Sequence, residues 1–462
     1  MKKLESFKRV IQLFLAGIGL ALQVWLFSHF YYMYYAPEIM RRLPFWSKGH
    51  LAIIFIYAVL LYMFSTMYGA MKVGRLKAAE VAISSVISTI FTAAIMYLQI
   101  CLMSFQIMYP WNYLRMVVEQ MVVGAVWIVF ASWLYPHIFP ARKLLLVHGD
   151  RPIDEIVSKF ESRKDKYIIS KTMNVKESVD KICAEAEERY DGVVIWDIPS
   201  IERNKILKFC YGKSIRVYIM PKISDVILSG AEQLHIFDTP ILLNREYSLR
   251  IEQRFMKRLI DIICSLILII LTSPFMIITA IAVKFYDGGH VLYKQVRCTE
   301  DAREFKILKF RSMREDAEKD GVARLAKEND DRITPVGKFI RKCRLDELPQ
   351  LFNILKGDMS FIGPRPERPE IIKQYLESMP EFAFRMKVKA GLAGYAQVYG
   401  KYNTTPYDKL KLDLTYIENY SVWLDIKLMF LTIRVLFTPD ATEGVGEEQV
   451  TALKDSAAQE KE

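Results

Sequence analysis

The chain has 462 residues, of which 52% are hydrophobic and 25% charged, with a formal charge of +11 and a mean hydropathy of +0.13. At about 150 residues per domain there is room for about three structural units. Uncharged stretches at 10–37, 49–71, 81–114, 120–141 and 262–283 each exceed the ~20 apolar residues that cross a bilayer. A soluble globular protein, a disordered chain and a disulfide-stapled secreted domain are excluded. The six cysteines form no CxxC and the six histidines do not cluster. Any metal is therefore expected to be a hard ion held by carboxylates. In a membrane protein the positive charge points to anionic lipid or a phosphorylated substrate; nucleic acid is not expected as a partner.

The first four apolar runs read as spans, and the first lacks a cleavage site and reads as a retained anchor. Lys2, Lys3, Lys8, Arg9, Lys72, Arg75, Lys77, Arg142 and Lys143 lie on one side of these runs; Arg41, Arg42, Lys48 and Arg115 lie on the other. Nine against four predicts a cytoplasmic N-terminus and a membrane-helical region over 1–142.

Residues 143–250 read as a cytoplasmic α/β domain. Strands are expected at 143–147, 167–169, 192–196 and 215–219, with helices at 153–161, 175–189 and 202–209 between them. This alternation is the signature of a parallel, Rossmann-like sheet. The first strand ends in His148-Gly149-Asp150, without a glycine fingerprint for a pyrophosphate. A regulatory or scaffolding module is the plainer reading, with a dinucleotide site as the alternative.

The run 262–283 differs from the others in having Ser273-Pro274 at its middle and basic residues at both ends, Lys257 and Arg258 before it and Lys284 after. A proline-kinked span and a re-entrant helix–break–helix over 257–284 both fit the proline. Positive charge at both ends favours the re-entrant form, which keeps the following domain in the cytosol. That charged domain extends to about residue 437. The acidic segment 438–462 lacks periodicity and is expected to be disordered.

Chemistry concentrates in Arg341-Lys342-Cys343-Arg344-Leu345-Asp346-Glu347-Leu348-Pro349 and the residues after it. Leu348, Leu351, Phe352 and Leu355 recur at helical spacing, and Pro349 belongs in a first turn, so a helix is expected to begin near Asp346. On spacing alone the acids fit an N-cap with an acidic first turn, or two carboxylates with separate chemical jobs. Phe305-Lys306-Ile307-Leu308-Lys309-Phe310-Arg311 reads as a strand with a cationic face. Gly363-Pro364-Arg365-Pro366 sets an arginine in a stiff turn suited to gripping phosphate.

With these motifs in family order, and Gly391–Val398 after them, the segment 254–437 resembles the catalytic domain of the bacterial sugar transferases. These are polyprenyl-phosphate phosphoglycosyl transferases of the monotopic superfamily. The resemblance implies an α/β monotopic catalytic domain over 251–437 with a re-entrant membrane helix, behind a multi-pass anchor in the bacterial inner membrane. It implies transfer of a hexose 1-phosphate from a UDP-sugar to undecaprenyl phosphate, with UMP released, at the start of capsule, O-antigen or exopolysaccharide assembly. Asp346 would be the nucleophile that carries the phosphosugar, and Glu347 a ligand of Mg²⁺. Lys309, Arg311, Arg341 and Arg365 would surround the diphosphate, with Lys389 a further phosphate ligand. Ser273-Pro274 would break the membrane helix and Lys257-Arg258 anchor it at the lipid interface. A homodimer is also implied.

The family's Arg-Pro-Gly-x-Thr-Gly-Trp-Ala-Gln-Val segment reads here Lys389-Ala390-Gly391-Leu392-Ala393-Gly394-Tyr395-Ala396-Gln397-Val398, and its Asn-Gly-Arg is Tyr399-Gly400-Lys401. Nucleotide or sugar contacts are where this chain is expected to differ. The alternative function is a catalytically silent membrane scaffold for glycan-assembly enzymes. The intact acidic pair with its cations argues against that. A transporter is disfavoured because runs 1–4 hold no charged residue inside them.

Overall fold

The computed structural model describes residues 7–42, 47–244, 249–314, 332–400 and 404–436. Lys2, Lys3, Lys401 and the segment 438–462 lie outside these residues. The chain divides into two compact units, Met1–Pro221 and Lys222–Glu462.

The first unit opens with α1 (Lys8–Phe30, continued by a π-helical turn at Tyr31–Tyr35 into Ala36–Arg42), α2 (Ser47–Tyr68), α3 (Ala78–Ser104) and α4 (Pro110–Ile138). All four helices are long and apolar enough to cross a membrane. Apolar contact drives helix association weakly in lipid, so polar contacts inside the bundle carry weight. Gln23 Nε2 donates to Ser85 Oγ at 3.2 Å, and Thr89 donates to Gln23 Oε1 at 3.1 Å. Gln120 Nε2 donates to the Tyr57 hydroxyl at 2.9 Å and to the Gln23 carbonyl at 2.8 Å.

The same unit continues with β1 (Arg142–His148), α5 (Asp154–Glu161), β2 (Tyr167–Asn174), α6 (Val179–Arg189), β3 (Gly192–Trp196), α7 (Ser200–Gly212) and β4 (Arg216–Ile219). The strands form one parallel sheet in the order β2-β1-β3-β4. Leu144, Leu145, Leu146, Val147, Val193, Val194 and Ile195 are buried, as expected of strands covered on both faces. The helix expected over 175–189 is divided. A 3₁₀ turn at Val175–Glu177 ends at Ser178, whose φ of +118° interrupts the α-helix.

The second unit begins with α8 (Ile223–Ser229) and the hairpin β5 (Glu232–Ile236) and β6 (Thr239–Leu243). The α/β domain expected to run to residue 250 thus contributes to the first unit only as far as Pro221. The backbone at Gly230 comes close to Glu418, where a Cβ would lie 2.6 Å from the Glu418 Cβ.

Next comes α9 (Ile251–Asp287), a single 37-residue helix that continues through Pro274, so the break expected at Ser273-Pro274 does not divide it into two helices. Its buried residues fall in two groups, Lys257, Asp261 and Ser265 near the start and Thr279 and Val283 near the end. Between them Ile270, Leu271, Phe275, Ile277 and Ile278 are exposed. Both ends return to the rest of the unit. Val283 joins a buried cluster with Phe310 and Ile340, against which Met276, Ala280, Leu345 and Leu348 pack.

The remaining elements are β7 (Leu292–Cys298) paired antiparallel with β8 (Glu304–Phe310), α10 (Pro335–Lys342), α11 (Gln350–Lys356), β9 (Ser360–Ile362), α12 (Pro369–Ser378), β10 (Gly391–Ala393), α13 (Tyr395–Tyr399), α14 (Pro406–Glu418) and α15 (Val422–Leu436). β9 and β10 form a short parallel pair.

Candidate active site

The acidic pair sits in a tight turn ahead of a helix. Arg344 takes the left-handed conformation, φ +55°, and Leu345–Glu347 form a 3₁₀ turn. α11 begins at Gln350, four residues beyond the expected start. Pro349 has no N–H for the bond back to Leu345. The chain instead uses three-residue bonds, Leu348 N–H to the Leu345 carbonyl at 3.2 Å and Phe352 N–H to the Pro349 carbonyl at 3.1 Å. Asp346 therefore stands in the turn and caps no helix.

Asp346 is 8% exposed, and its Oδ1 is buried with no hydrogen-bond partner. Burial, helped by the neighbouring Glu347 charge, pushes its carboxyl up to about 6 against the pull of Lys309, Arg341 and Arg344. Glu347 goes the other way. Burial alone would raise it, but Lys309, Arg365 and Arg344 outweigh burial and hold it well below the usual range. Its Oε1 lies 3.0 Å from Lys309 Nζ, 3.4 Å from Arg365 Nη2 and 3.7 Å from Arg344 Nη1. Two neighbouring carboxylates thus hold different protonation tendencies, as sites that divide chemical labour do.

Lys309, Arg365 and Arg341 accordingly gather around Asp346 and Glu347. Arg311 instead pairs with Asp287, at the last turn of α9. Lys389 donates to the Gly357 carbonyl at 3.0 Å and feels the charges of Arg258 and Asp261, so it stands beside the start of α9. Lys257 and Arg258, expected to meet lipid headgroups, are engaged by protein. Lys257 Nζ contacts Asp425 Oδ2 at 2.7 Å, the Tyr416 hydroxyl at 3.0 Å and the Ile362 carbonyl at 2.8 Å. Arg258 donates to the Ile354 and Leu355 carbonyls at 2.7 and 2.8 Å, closing the C-terminal end of α11.

Two sets of residues outside the sequence expectations fix this geometry. Asn353, buried on α11, accepts from the Leu308 N–H and donates to the Lys306 carbonyl, both at 2.9 Å. It thereby ties the strand that carries Lys309 to the helix that follows Glu347. The segment around Arg365 is held along its backbone. Carbonyls accept from Lys257 at Ile362 (2.8 Å), from Gly391 N–H at Pro364 (2.9 Å), from Arg385 at Arg365 (3.0 Å), from Arg297 at Pro366 (3.1 Å) and from Cys298 N–H at Glu367 (3.0 Å). Gly363 and Gly391 permit this close approach, since a Cβ on Gly363 would sit 2.3 Å from the Lys389 carbonyl oxygen and one on Gly391 2.1 Å from the Gly363 nitrogen. Buried Arg385 is balanced by Asp413 at 2.8 Å and Glu367 at 3.7 Å, and Lys409 also pairs with Glu367. Burial raises Glu367, but Lys409 and Arg385 bring it down to about 2. A buried polar residue at Asn353 was a readable signal inside the helical pattern; Arg297, Arg385, Lys409 and Asp413 share no local motif.

Oxygen donors for a hard cation are present at Asp346 and Glu347. Among the described residues no three His, Cys, Asp or Glu side chains converge as a metal cage. A Mg²⁺ ion is commonly held by one or two carboxylates and completed by substrate phosphates and water.

Residues 252–439 match the family model for bacterial sugar transferases. The chain is 39% identical over 259 residues to the UDP-N-acetylgalactosamine-undecaprenyl-phosphate N-acetylgalactosaminephosphotransferase of Aeromonas hydrophila, covering 54% of this chain and 60% of that protein. It is 38% identical over 211 residues to the UDP-glucose:undecaprenyl-phosphate glucose-1-phosphate transferase of Escherichia coli K12, covering 45% of this chain and 44% of that one. With both, the similarity spans less than two thirds of the relative's length. A protein of the latter name from Caulobacter vibrioides is 36% identical over 189 residues, 40% of this chain and 70% of its own length. The acidic turn, its cations and the strand and turn that present them all lie inside these matched residues, and the chain belongs to the bacterial sugar transferase family.

Proposed function

We propose that this protein transfers a sugar 1-phosphate from a UDP-sugar to undecaprenyl phosphate through a covalent intermediate on Asp346. The observation that carries the reading is a buried carboxylate with an unpartnered oxygen beside Glu347, ringed by Lys309, Arg341, Arg344 and Arg365. With its carboxyl near 6, Asp346 is ionised at neutral pH. Its oxygen attacks the β-phosphorus of the donor, and the bond from that phosphorus to the bridging oxygen breaks. UMP leaves with the electron pair, and the sugar phosphate remains as an acyl phosphate. An oxygen of undecaprenyl phosphate then attacks the same phosphorus and frees the carboxylate. Both phosphorus centres are anionic, so the surrounding cations lower the barrier by screening the charge that gathers in the transition state. Mg²⁺, where bound by Glu347 with Asp346 alongside, would supply further screening of the diphosphate.

The two buried ends of α9 and its exposed apolar middle support a re-entrant membrane element, with both ends on the cytoplasmic side of the inner membrane. That arrangement puts Asp346 where a water-soluble donor and a lipid phosphate can both reach it. Residues 142–219 are read as a Rossmann-like accessory domain, and the assembly as a homodimer. The deciding experiment incubates membranes holding the full chain with undecaprenyl phosphate and a panel of UDP-sugars, and measures UMP. Lipid-dependent UMP release with at least one donor is expected. Its absence with every donor, from folded protein, favours the silent scaffold.

A further inference from the structure

Within the first unit the helix bundle and the parallel sheet meet at a group of cations that the proposed reaction does not use. Lys8 opens α1, its ammonium 5.7 Å from the Tyr135 ring centre and 5.1 Å from that of Phe139. Arg75 lies in the turn between α2 and α3. Gly74, at φ +69°, presses that turn onto Tyr135, and a Cβ there would lie 2.6 Å from the ring. Arg142 opens β1 and donates to the Tyr218 hydroxyl at 3.2 Å. Arg163 and Lys166 lie in the tight turn before β2, where the Lys166 N–H bonds the Arg163 carbonyl at 2.9 Å. Four segments remote in sequence thus bring five cations to one end of helices long and apolar enough to cross a membrane.

At its centre a backbone carbonyl takes two of these cations. Arg163 Nη1 donates to the Arg75 carbonyl at 2.8 Å, and Lys166 Nζ donates to the same oxygen. One neutral carbonyl offers two cations no counter-charge. Asp165 forms a two-pronged contact with Arg163, 3.0 Å on each prong, so its oxygens are directed at the guanidinium, and the Glu80 charge also acts on Arg163, leaving two acids against five cations among the described residues. Lys166 is half-buried. Burial first, then Arg163, Lys8 and Arg75, push its ammonium down to about 8 despite Asp165. An ammonium under that pressure is stabilised by an added anion, and phosphate oxygens accept from Lys and Arg together. The ends of membrane-crossing helices lie at headgroup depth, where basic pockets beside helices take anionic headgroups.

We propose that this junction binds a phosphate group, of a lipid headgroup or of the free ion, held by Lys8, Arg142, Arg163 and Lys166 where the bundle meets the sheet. The occupant would clamp the sheet to the helix ends and make the stability of the first unit depend on the surrounding lipid.

The test uses the full chain, delipidated in detergent and reconstituted into phosphatidylcholine nanodiscs, with and without phosphatidylglycerol, or with inorganic phosphate added. Thermal unfolding and lipid retention by native mass spectrometry are read for wild type, for Arg163→Gln with Lys166→Gln, and for Lys8→Gln. Lys8→Gln leaves both bonds to the Arg75 carbonyl in place and decides the matter if the double variant does not fold. A control removes two charges at exposed Lys164 and Lys181. Phosphatidylglycerol is expected to raise the melting temperature of wild type and of the control by several degrees. Lys8→Gln and the double variant should retain roughly tenfold less of it, or less still. If inorganic phosphate alone reproduces the shift, the occupant is the free ion; if it does not, the occupant is the lipid headgroup. The proposal is overturned if neither anion stabilises wild type, or if the control loses retention as fully as the variants. None of these readouts depends on transferase activity, so they stand apart from the proposed reaction.

Discussion

Ser273 Oγ donates to the Ile270 carbonyl at 2.8 Å, and that is the carbonyl Pro274 leaves without its helical partner. In lipid no water can fill that role, so the serine makes the proline tolerable where the helix is most exposed. Thr272 back-bonds in the same way to the Leu268 carbonyl at 2.7 Å. Pro274→Ala restores the ordinary helical bond and removes the ring's clash, which favours a straight span. Single cysteines at positions 253 and 289, in a background without native cysteines, should both be labelled from one side of sealed vesicles. With Pro274→Ala a substantial part of the position 289 label should move to the other side. Labelling of the two positions from opposite sides in the unaltered helix would mean that α9 spans the bilayer.

The acidic pair gives a second expectation. Asp346→Asn should leave the protein folded and abolish UMP release, because an amide cannot form the acyl phosphate. Glu347→Gln removes the carboxylate that Lys309, Arg344 and Arg365 converge on, and should lower turnover by about 10²–10³-fold. It should recover in part at high Mg²⁺. Substantial turnover by Asp346→Asn in the UMP assay would end the covalent mechanism.

Much of this site was legible because its pieces are local. Lys309, Asp346, Glu347 and Arg365 stand in three short motifs, and the structure brings those motifs together. The strands were legible for the same reason: 192–196 is an unbroken apolar run, and β3 occupies it. What sequence did not reveal is long-range. Lys257 reaches the Ile362 carbonyl across 105 residues, and its basic neighbour sequence suggested lipid contact, whereas the ammonium meets buried Asp425. The start of α11 was misplaced because local propensity does not report the left-handed Arg344 that sets the 3₁₀ turn.

Asn353 should be costly to alter although it touches no substrate. Asn353→Leu keeps the volume roughly but strands the Leu308 N–H and the Lys306 carbonyl, each at about 1–3 kcal/mol. Denaturant unfolding should show that loss. Turnover at a temperature where the variant stays folded should still fall, because Lys309 is carried by the freed strand. Unchanged stability and turnover would show that β8 is positioned by other contacts.

Glu367 makes the clamp on Arg365 depend on pH. Its folded value, about 2, lies below the ordinary 4.5, so folding favours the ionised form. That contribution is complete above about pH 5 and fades as the pH falls from 4.5 towards 2. Glu367→Gln leaves Lys409 without this carboxylate and Arg385 with Asp413 alone, and should cost up to about 3–5 kcal/mol at pH 7. The gap in melting temperature between wild type and variant should narrow as the pH drops below 4.5. A gap that stays constant or widens would assign the loss to packing.

The division of the chain at Pro221 sets where a catalytic fragment should begin. Every residue assigned to the reaction lies between 257 and 389, yet α8 and Gly230 belong to the same unit, with Val226 buried and Gly230 against Glu418 on α14. A fragment starting at Lys222 should therefore bind membranes through α9 and release UMP. One starting at Leu249 loses α8 and, from Val226 alone, about 1.5–3 kcal/mol of burial. It should melt earlier while turning over at a similar rate at low temperature. Comparing UMP release and melting for the two fragments separates stability from chemistry. If the Lys222 fragment is folded and membrane-bound but wholly inactive, residues 1–221 contribute to the active site or gate it, and they cannot be accessory.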